Sequence, residues 1–221
     1  MRLLRIFEGA NNEYHWFLRQ RFRDRIRQTY SQPTSHADDR NWFCQLSLVL
    51  ALGQALEKVP KQESEEINDP WDINQSSAPL DLFGQAVSLF TISETLTLED
   101  LEGLNLMAYY CHFTNRPKAA VIYISQSIAL ARLLQLDDPD TYRPESSGRQ
   151  DGKGQQITKE HMLRLWWTTV CLDKTLASEL EMTTVYLGPS LELPLPSSEG
   201  LSAKDEAEFF DLDLLLAEIQ S

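Results

Sequence analysis

At 221 residues, 42% of them hydrophobic and 24% charged, the chain is long enough to bury a core of its own without external staples. Its formal charge of 20 − 33 = −13 opposes nonspecific binding to a polyanion such as nucleic acid. Polar residues interrupt every apolar run well short of the roughly 20 residues needed to span a bilayer, and MRLLRIFEGANNEY turns acidic and polar too soon for a secretory signal, so no membrane segment is expected.

In chain order, the segment from Leu3 to Tyr30 carries Phe17, Leu18, Phe22 and Ile26 at helical spacing, which predicts a loop or short helix that becomes a firmer helix near His15. Arg19, Arg21, Arg23, Arg25 and Arg27 alternate along it; on a helix they spread around the surface, so intramolecular ion pairs are expected rather than a phosphate-binding stripe. Pro33 and the polar run to Asp39 break this element. Trp42, Leu46, Val49, Leu50, Ala51 and Leu56 predict a second buried helix, with Asp38 or Asp39 near its start, followed by an acidic loop around Glu63, Glu65, Glu66 and Asp69.

Leu80, Phe83, Ala86, Val87 and Phe90 form the next helical pattern. Thr97 with Asp100 three residues on reads as a helix cap, opening a helix through Leu101, Leu104, Leu106, Ala108, Tyr109 and Phe113. Asn115 and Pro117 predict a break and a fresh start, continued through Ala120, Ile124, Ile128 and Leu134. From Leu136 to Thr158 the chain is polar and rich in Pro, Gly, Asp and Ser, which predicts a surface loop; its glycines lack the spacing and the terminal GK[ST] of a phosphate loop.

Leu163, Trp166, Trp167, Val170 and Ala177 then recur at three- and four-residue spacing and predict a helix with one broad apolar stripe. Asp173 falls on that stripe, and a buried carboxylate needs a partner, for which Arg132 is a candidate. Leu163, Trp166, Trp167, Val170 and Asp173 are therefore the expected structural core. Pro189, Pro194 and Pro196 impose an extended path. The final segment, SAKDEAEFFDLDLLLAEIQ, reads either as a closing helix of the core or as an acidic, aromatic partner-binding segment with Phe209, Phe210 and Leu214 as its contacts. The expected fold is all-α, an antiparallel helical array with long loops, divided into a domain over 1–196 and an acidic amphipathic segment over 197–221.

Arg164-Leu165-Trp166-Trp167 followed by Leu172-Asp173-Lys174, with Pro194-Leu195-Pro196 closing the extended stretch, resembles the fungal-specific transcription-factor domain, the regulatory middle region found behind zinc binuclear-cluster modules. Phe83 to Phe90, Leu101 to Tyr110 and Ala119 to Leu136 resemble earlier helices of that family, and YHWFLRQRFRDRIRQTY looks like its beginning. Two departures stand out: Gln135 replaces the glycine of the family's Leu-Gly-Leu helix ending, and Glu181-Met182-Thr183 stands where Gly-Arg-Pro is expected.

The resemblance implies an all-helical regulatory scaffold in a nuclear transcriptional regulator, with a cytoplasmic protein as the alternative. The dispersed Cys44, Cys111 and Cys171 match no metal knuckle or disulfide framework and read as buried thiols, so no zinc-cluster ligand, and no cofactor, is expected in this chain. Direct DNA binding then requires a further module; otherwise this is a short regulator, beginning at Met1, that acts through protein contacts.

His15, His36, His112 and His161 form no ligand pair in sequence, and His161 reads as a surface residue at the start of the tryptophan helix rather than a catalytic base. No enzymatic activity is expected. The leading expectation is transcriptional regulation through a regulatory or transcription-machinery protein or through a small apolar effector held among Phe83, Phe90, Tyr109, Tyr110 and Phe113; the alternative is a standalone noncatalytic interaction module.

Overall fold

The computed structural model describes residues 2–10, 14–32, 38–58, 81–92, 94–143, 152–185 and 193–196. Its helices are α1 (Arg2–Ala10), α2 (Arg19–Ser31), α3 (Arg40–Glu57), α4 (Leu82–Leu89), α5 (Leu98–Phe113), α6 (Pro117–Leu133) and α7 (Gly152–Glu179), with a 3-10 turn at Pro139–Tyr142. The fold is all-α, and no strand occurs among the described residues.

Helix α5 lies at the centre, packed against α3, α6 and α7. Every residue from Asp100 to Ala108 is buried, as befits a helix enclosed on all sides. Its start is chemically local: Thr97 Oγ1 accepts from the Asp100 N–H at 3.3 Å and the Asp100 carboxylate accepts from the Thr97 N–H at 2.8 Å, the reciprocal cap expected from these two residues. Three polar residues are buried with it, and each is matched: Asp100 accepts from Asn41, Glu102 accepts from Gln45, and Asn105 exchanges hydrogen bonds with Thr169 at 2.9 and 3.2 Å. Such pairing is what makes burial of these groups tolerable.

Helix α1 crosses α3 closely. A Cβ at Gly53 would collide with the Leu3 carbonyl, so the missing side chain lets the two backbones approach while Leu4 and Phe7 enter the core. Asp39 caps α3 by accepting from the Trp42 N–H at 3.1 Å. Residues 14–18 are not helical, and the firmer helix begins at Arg19 rather than near His15. Tyr14, His15, Trp16 and Phe17 are all buried, with the Trp16 ring 4.7 Å from that of Tyr109. The His15 N–H donates to Thr168 Oγ1 at 3.0 Å, and the Thr168 hydroxyl donates to the His15 carbonyl at 3.2 Å; these tertiary bonds occupy backbone groups that a helix would have used.

Three helices end on a residue in the left-handed region: Asn115 (φ 56°) after α5, Gln135 (φ 58°) after α6 and Glu181 (φ 52°) after α7. Each end carries the paired bonds of a Schellman motif, in which the next residue's N–H reaches back across the turn: Arg116 to Cys111 at 2.7 Å, Leu136 to Ala131 at 3.0 Å and Met182 to Ala177 at 2.8 Å. Helix α7 begins at Gly152, so Gly152–Thr158 is helical and not part of the expected loop. Once a packed helix exists, each further turn costs little to propagate, even through weak helix formers.

Leu163, Trp166, Trp167, Val170 and Asp173 are all buried on α7. The Trp167 indole N–H donates to the Pro194 carbonyl at 3.0 Å and Leu193 is buried beside the core, which ties the extended stretch to this helix. Asp173 accepts from the Val185 N–H at 3.2 Å. Arg132 is not its partner: that guanidinium is 64% exposed and pairs with Asp137 at 3.4 Å. The acidic stretch after α3 and the segment 197–221, including Phe209, Phe210 and Leu214, lie outside the described residues.

Candidate functional site

A cavity of about 60 Å³ opens where α2, α3, α5 and α7 converge. Phe17, Leu18, Phe22, Trp42 and Leu98 supply apolar surface, and Arg21, Arg25, Gln45, Glu99, Glu102 and His161 supply polar groups. The spacing explains the convergence: Trp42 and Gln45 are one turn apart on α3, Leu98 and Glu102 one turn apart on α5, and Arg21 and Arg25 one turn apart on α2.

Its floor is a buried polar chain. Gln45 Nε2 donates to Glu102, whose other carboxylate oxygen lies 3.1 Å from His161 Nε2, and His161 Nδ1 meets His15 Nε2 at 2.8 Å. Burial, and then the charges of His161, Arg164 and Arg19, hold His15 well below the ordinary histidine value, so it is neutral. Burial pushes the Glu102 carboxyl above its ordinary value, while the hydrogen bonds from His161 and Gln45 work against that rise. With Glu102 ionised, His161 Nε2–H donates to it, and a single proton bridges His161 Nδ1 and His15 Nε2, given by His161 when it is protonated and by His15 when His161 is neutral. The same region buries the Arg164–Glu160 ion pair at 2.7 Å.

At the mouth the cations differ. Arg25 pairs with Asp39 and with Glu99, the latter at 2.7 Å, and lies over the Trp42 ring at 4.7 Å, while the Trp42 indole donates to Thr29 at 3.0 Å. Arg23 holds Glu8 and Arg27 holds Asp24, in line with the ion pairs expected of this helix, but Arg19 is buried. Arg21 is exposed and has no acidic partner among the described residues.

Sequence reasoning placed the site elsewhere. Phe83, Phe90, Tyr109, Tyr110 and Phe113 line no part of this cavity. Phe83 stacks on Tyr110 at 4.3 Å with Arg116 over both rings, so these side chains fill space instead of enclosing it. His161, expected on the surface at a helix start, is 4% exposed and lies well inside α7. Nothing local in sequence marks His15 and His161 as neighbours; the one available signal was Glu102 on a helix apolar enough to be enclosed. Leu163, Trp166, Trp167, Val170 and Asp173 lie on the same helix as His161 but do not line the cavity. No group of three His, Cys, Asp or Glu side chains among the described residues could hold a metal, and none of their helices is long and apolar enough to cross a membrane. Cys44, Cys111 and Cys171 are buried thiols outside any disulfide, with the Cys44 thiol pushed up to about 12, first by burial and then by the charge of Asp100.

The described residues form a helical scaffold with a polar-floored cleft. Residues 7–215 match the model of the fungal specific transcription factor domain, and the chain belongs to that family, which carries a transcriptional regulatory role. No curated protein and no solved structure matches it. Gln135 and Glu181, the two departures from the family's glycines, both keep the left-handed conformation that glycine would adopt freely.

Proposed function

We propose that this chain is the regulatory part of a nuclear transcriptional regulator, that it acts by association rather than catalysis, and that the cleft is its control point. The observation that supports this reading is the reach of the cleft: an occupant touches α2, α3, α5 and α7 at once. A ligand that prefers one placement of those helices shifts the population toward it, by no more than its differential affinity. The acidic segment 197–221, with Phe209, Phe210 and Leu214, supplies the partner contacts on this reading.

The test tethers the whole chain to an unrelated DNA-binding module upstream of a reporter in a fungal nucleus. The tethered chain should change output several-fold against the module alone, and Leu98→Trp, which fills the cleft, should alter that change while circular dichroism shows an intact helical fold. Output equal to that of the module alone would sink the regulatory reading.

A further inference from the structure

We propose that the His15–His161 contact is a proton-released latch: at neutral pH it holds residues 14–18 against α7, and acid lets that stretch open locally while the rest of the helical core stays closed. The latch is a property of the fold and stands whether or not the chain regulates transcription.

The geometry limits the pair to one shared proton. His15 Nε2 and His161 Nδ1 are 2.8 Å apart and both rings are buried. When both are imidazolium, N–H faces N–H and the contact breaks. The charged groups around the pair are unevenly placed. Glu102 of α5, with the charge of Glu99 acting on it, lies against His161 at 3.1 Å, and α3 contributes the neutral amide of Gln45, which donates to Glu102. Arg19 of α2 and Arg164 of α7 act on His15, and Arg164 pairs with Glu160 at 2.7 Å. Arg21 and Arg25 of α2 line the adjoining cleft, with Arg25 paired to Asp39 and Glu99. A charge on His161 thus has a carboxylate beside it, whereas a charge on His15 meets like charges. Burial first, and then the charges of His161, Arg164 and Arg19, hold His15 well below its ordinary value.

Residues 14–18 belong to no helix, and His15 is tied to α7 through Thr168, whose hydroxyl bonds both its N–H and its carbonyl. Trp16 is buried with its indole N–H unmatched among the described residues, so opening restores to it a hydrogen bond with water. Aromatic packing keeps the latch shut at neutral pH: the Trp16 ring lies 4.7 Å from Tyr109 and the Phe17 ring 4.2 Å from Phe22. In the open form His15 reaches water and binds a proton near the ordinary 6.5, a proton that the closed form refuses. The closed form is therefore favoured in full above that value and loses ground as pH falls through it, the opening constant rising by at most about tenfold per pH unit. Phe17 and Leu18 line the cleft and His161 lies at its floor, so the same proton alters the shape of the cleft.

Native-state hydrogen exchange of the full chain, followed by NMR at about pH 7.0 and 5.5 in low concentrations of urea, compares the His15 amide, which donates to Thr168, with the Leu104 amide in α5. After correction for intrinsic exchange, the His15 amide should be the less protected of the two and nearly independent of urea, while Leu104 keeps the steep urea dependence of global unfolding. Protection at His15 should fall about eightfold between the two pH values. His15→Gln, which keeps an N–H for His161 and cannot take up a proton, should hold the protection of its own amide constant within about twofold. A His15 amide with the urea dependence of Leu104, protection that changes less than twofold with pH, or an equal fall in folded His15→Gln overturns the latch. The first two outcomes are read on the wild-type chain and decide the matter even if the variant does not fold.

Discussion

His15 Nε2 and His161 Nδ1 lie 2.8 Å apart although 146 positions separate them in the chain. The contact pins the non-helical residues 14–18 to α7, and Thr168 seals it by bonding both backbone groups of His15. Only one proton fits between the two nitrogens, so the pair is sensitive to where protons sit.

That sensitivity sets a pH dependence. His15 lies below its ordinary 6.5, so as pH falls past about 6.5 the unfolded chain takes up a proton that the folded chain refuses, and stability falls. Glu102 has the opposite sign: its value is raised above 4.5, so its contribution to stability grows as pH falls through its folded value. The charges that lower His15 are those of His161, Arg164 and Arg19, all buried. Urea unfolding at about pH 7.5, 6.5 and 5.5 should show stability dropping most steeply between 6.5 and 5.5, where the His15 slope approaches about 1.4 kcal/mol per pH unit less any opposing contribution from Glu102. His15→Gln, which retains an N–H for His161, should flatten that slope. An equal slope in the variant removes His15 as its source.

Gln135 and Glu181 hold positive φ at exposed helix ends, where a side chain costs roughly 1–2 kcal/mol relative to the right-handed region. Glycine relieves the strain but loosens the unfolded chain, which offsets about 0.4–1 kcal/mol. Gln135→Gly and Glu181→Gly should each stabilise by about 0.5–1 kcal/mol, a rise of roughly 1–4 °C in Tm for a chain of this size. A lower Tm in both variants would show that the side chains contribute more than the backbone strain costs.

Two glycines within helices should respond in opposite directions to alanine. At Gly9 nothing lies within 4 Å of an added Cβ, so Gly9→Ala should stabilise by about 0.5–1 kcal/mol through helix propensity alone. At Gly53 the same gain meets a collision with the Leu3 backbone, which cannot rotate aside as a side chain can. Gly53→Ala should therefore lose about 2 kcal/mol or more net. Thermal melts of the two variants decide it, and similar shifts of the same sign would mean that α1 does not press on α3 as described.

Much of the helix layout was legible because its signals are local. Thr97 with Asp100, Asp39 before Trp42 and Pro117 after Asn115 each mark a boundary through bonds made within a few residues, and the structure places helix starts beside all three. The failures were equally physical. The beginning of α7 at Gly152 rests on propagation from its packed portion, and the non-helical path at His15 rests on Thr168, far away in the chain. The aromatic set near Phe83 resembled a pocket lining because composition does not distinguish rings that stack on one another from rings that surround a space.

The amino-acid order alone determined that helices form, roughly where they start and stop, and that the stretch from Arg164 to Pro196 carries a recognisable family pattern, since capping, periodicity and motif spacing are properties of neighbouring residues. Only the tertiary structure decided that His15, His161, Glu102 and Gln45 form one buried chain beneath a cleft, and that Arg25 at its mouth is paired while Arg21 has no acidic partner among the described residues. Those relations depend on which helix faces bury each other and on which charges find partners after packing, and both are consequences of distance in space rather than distance along the chain.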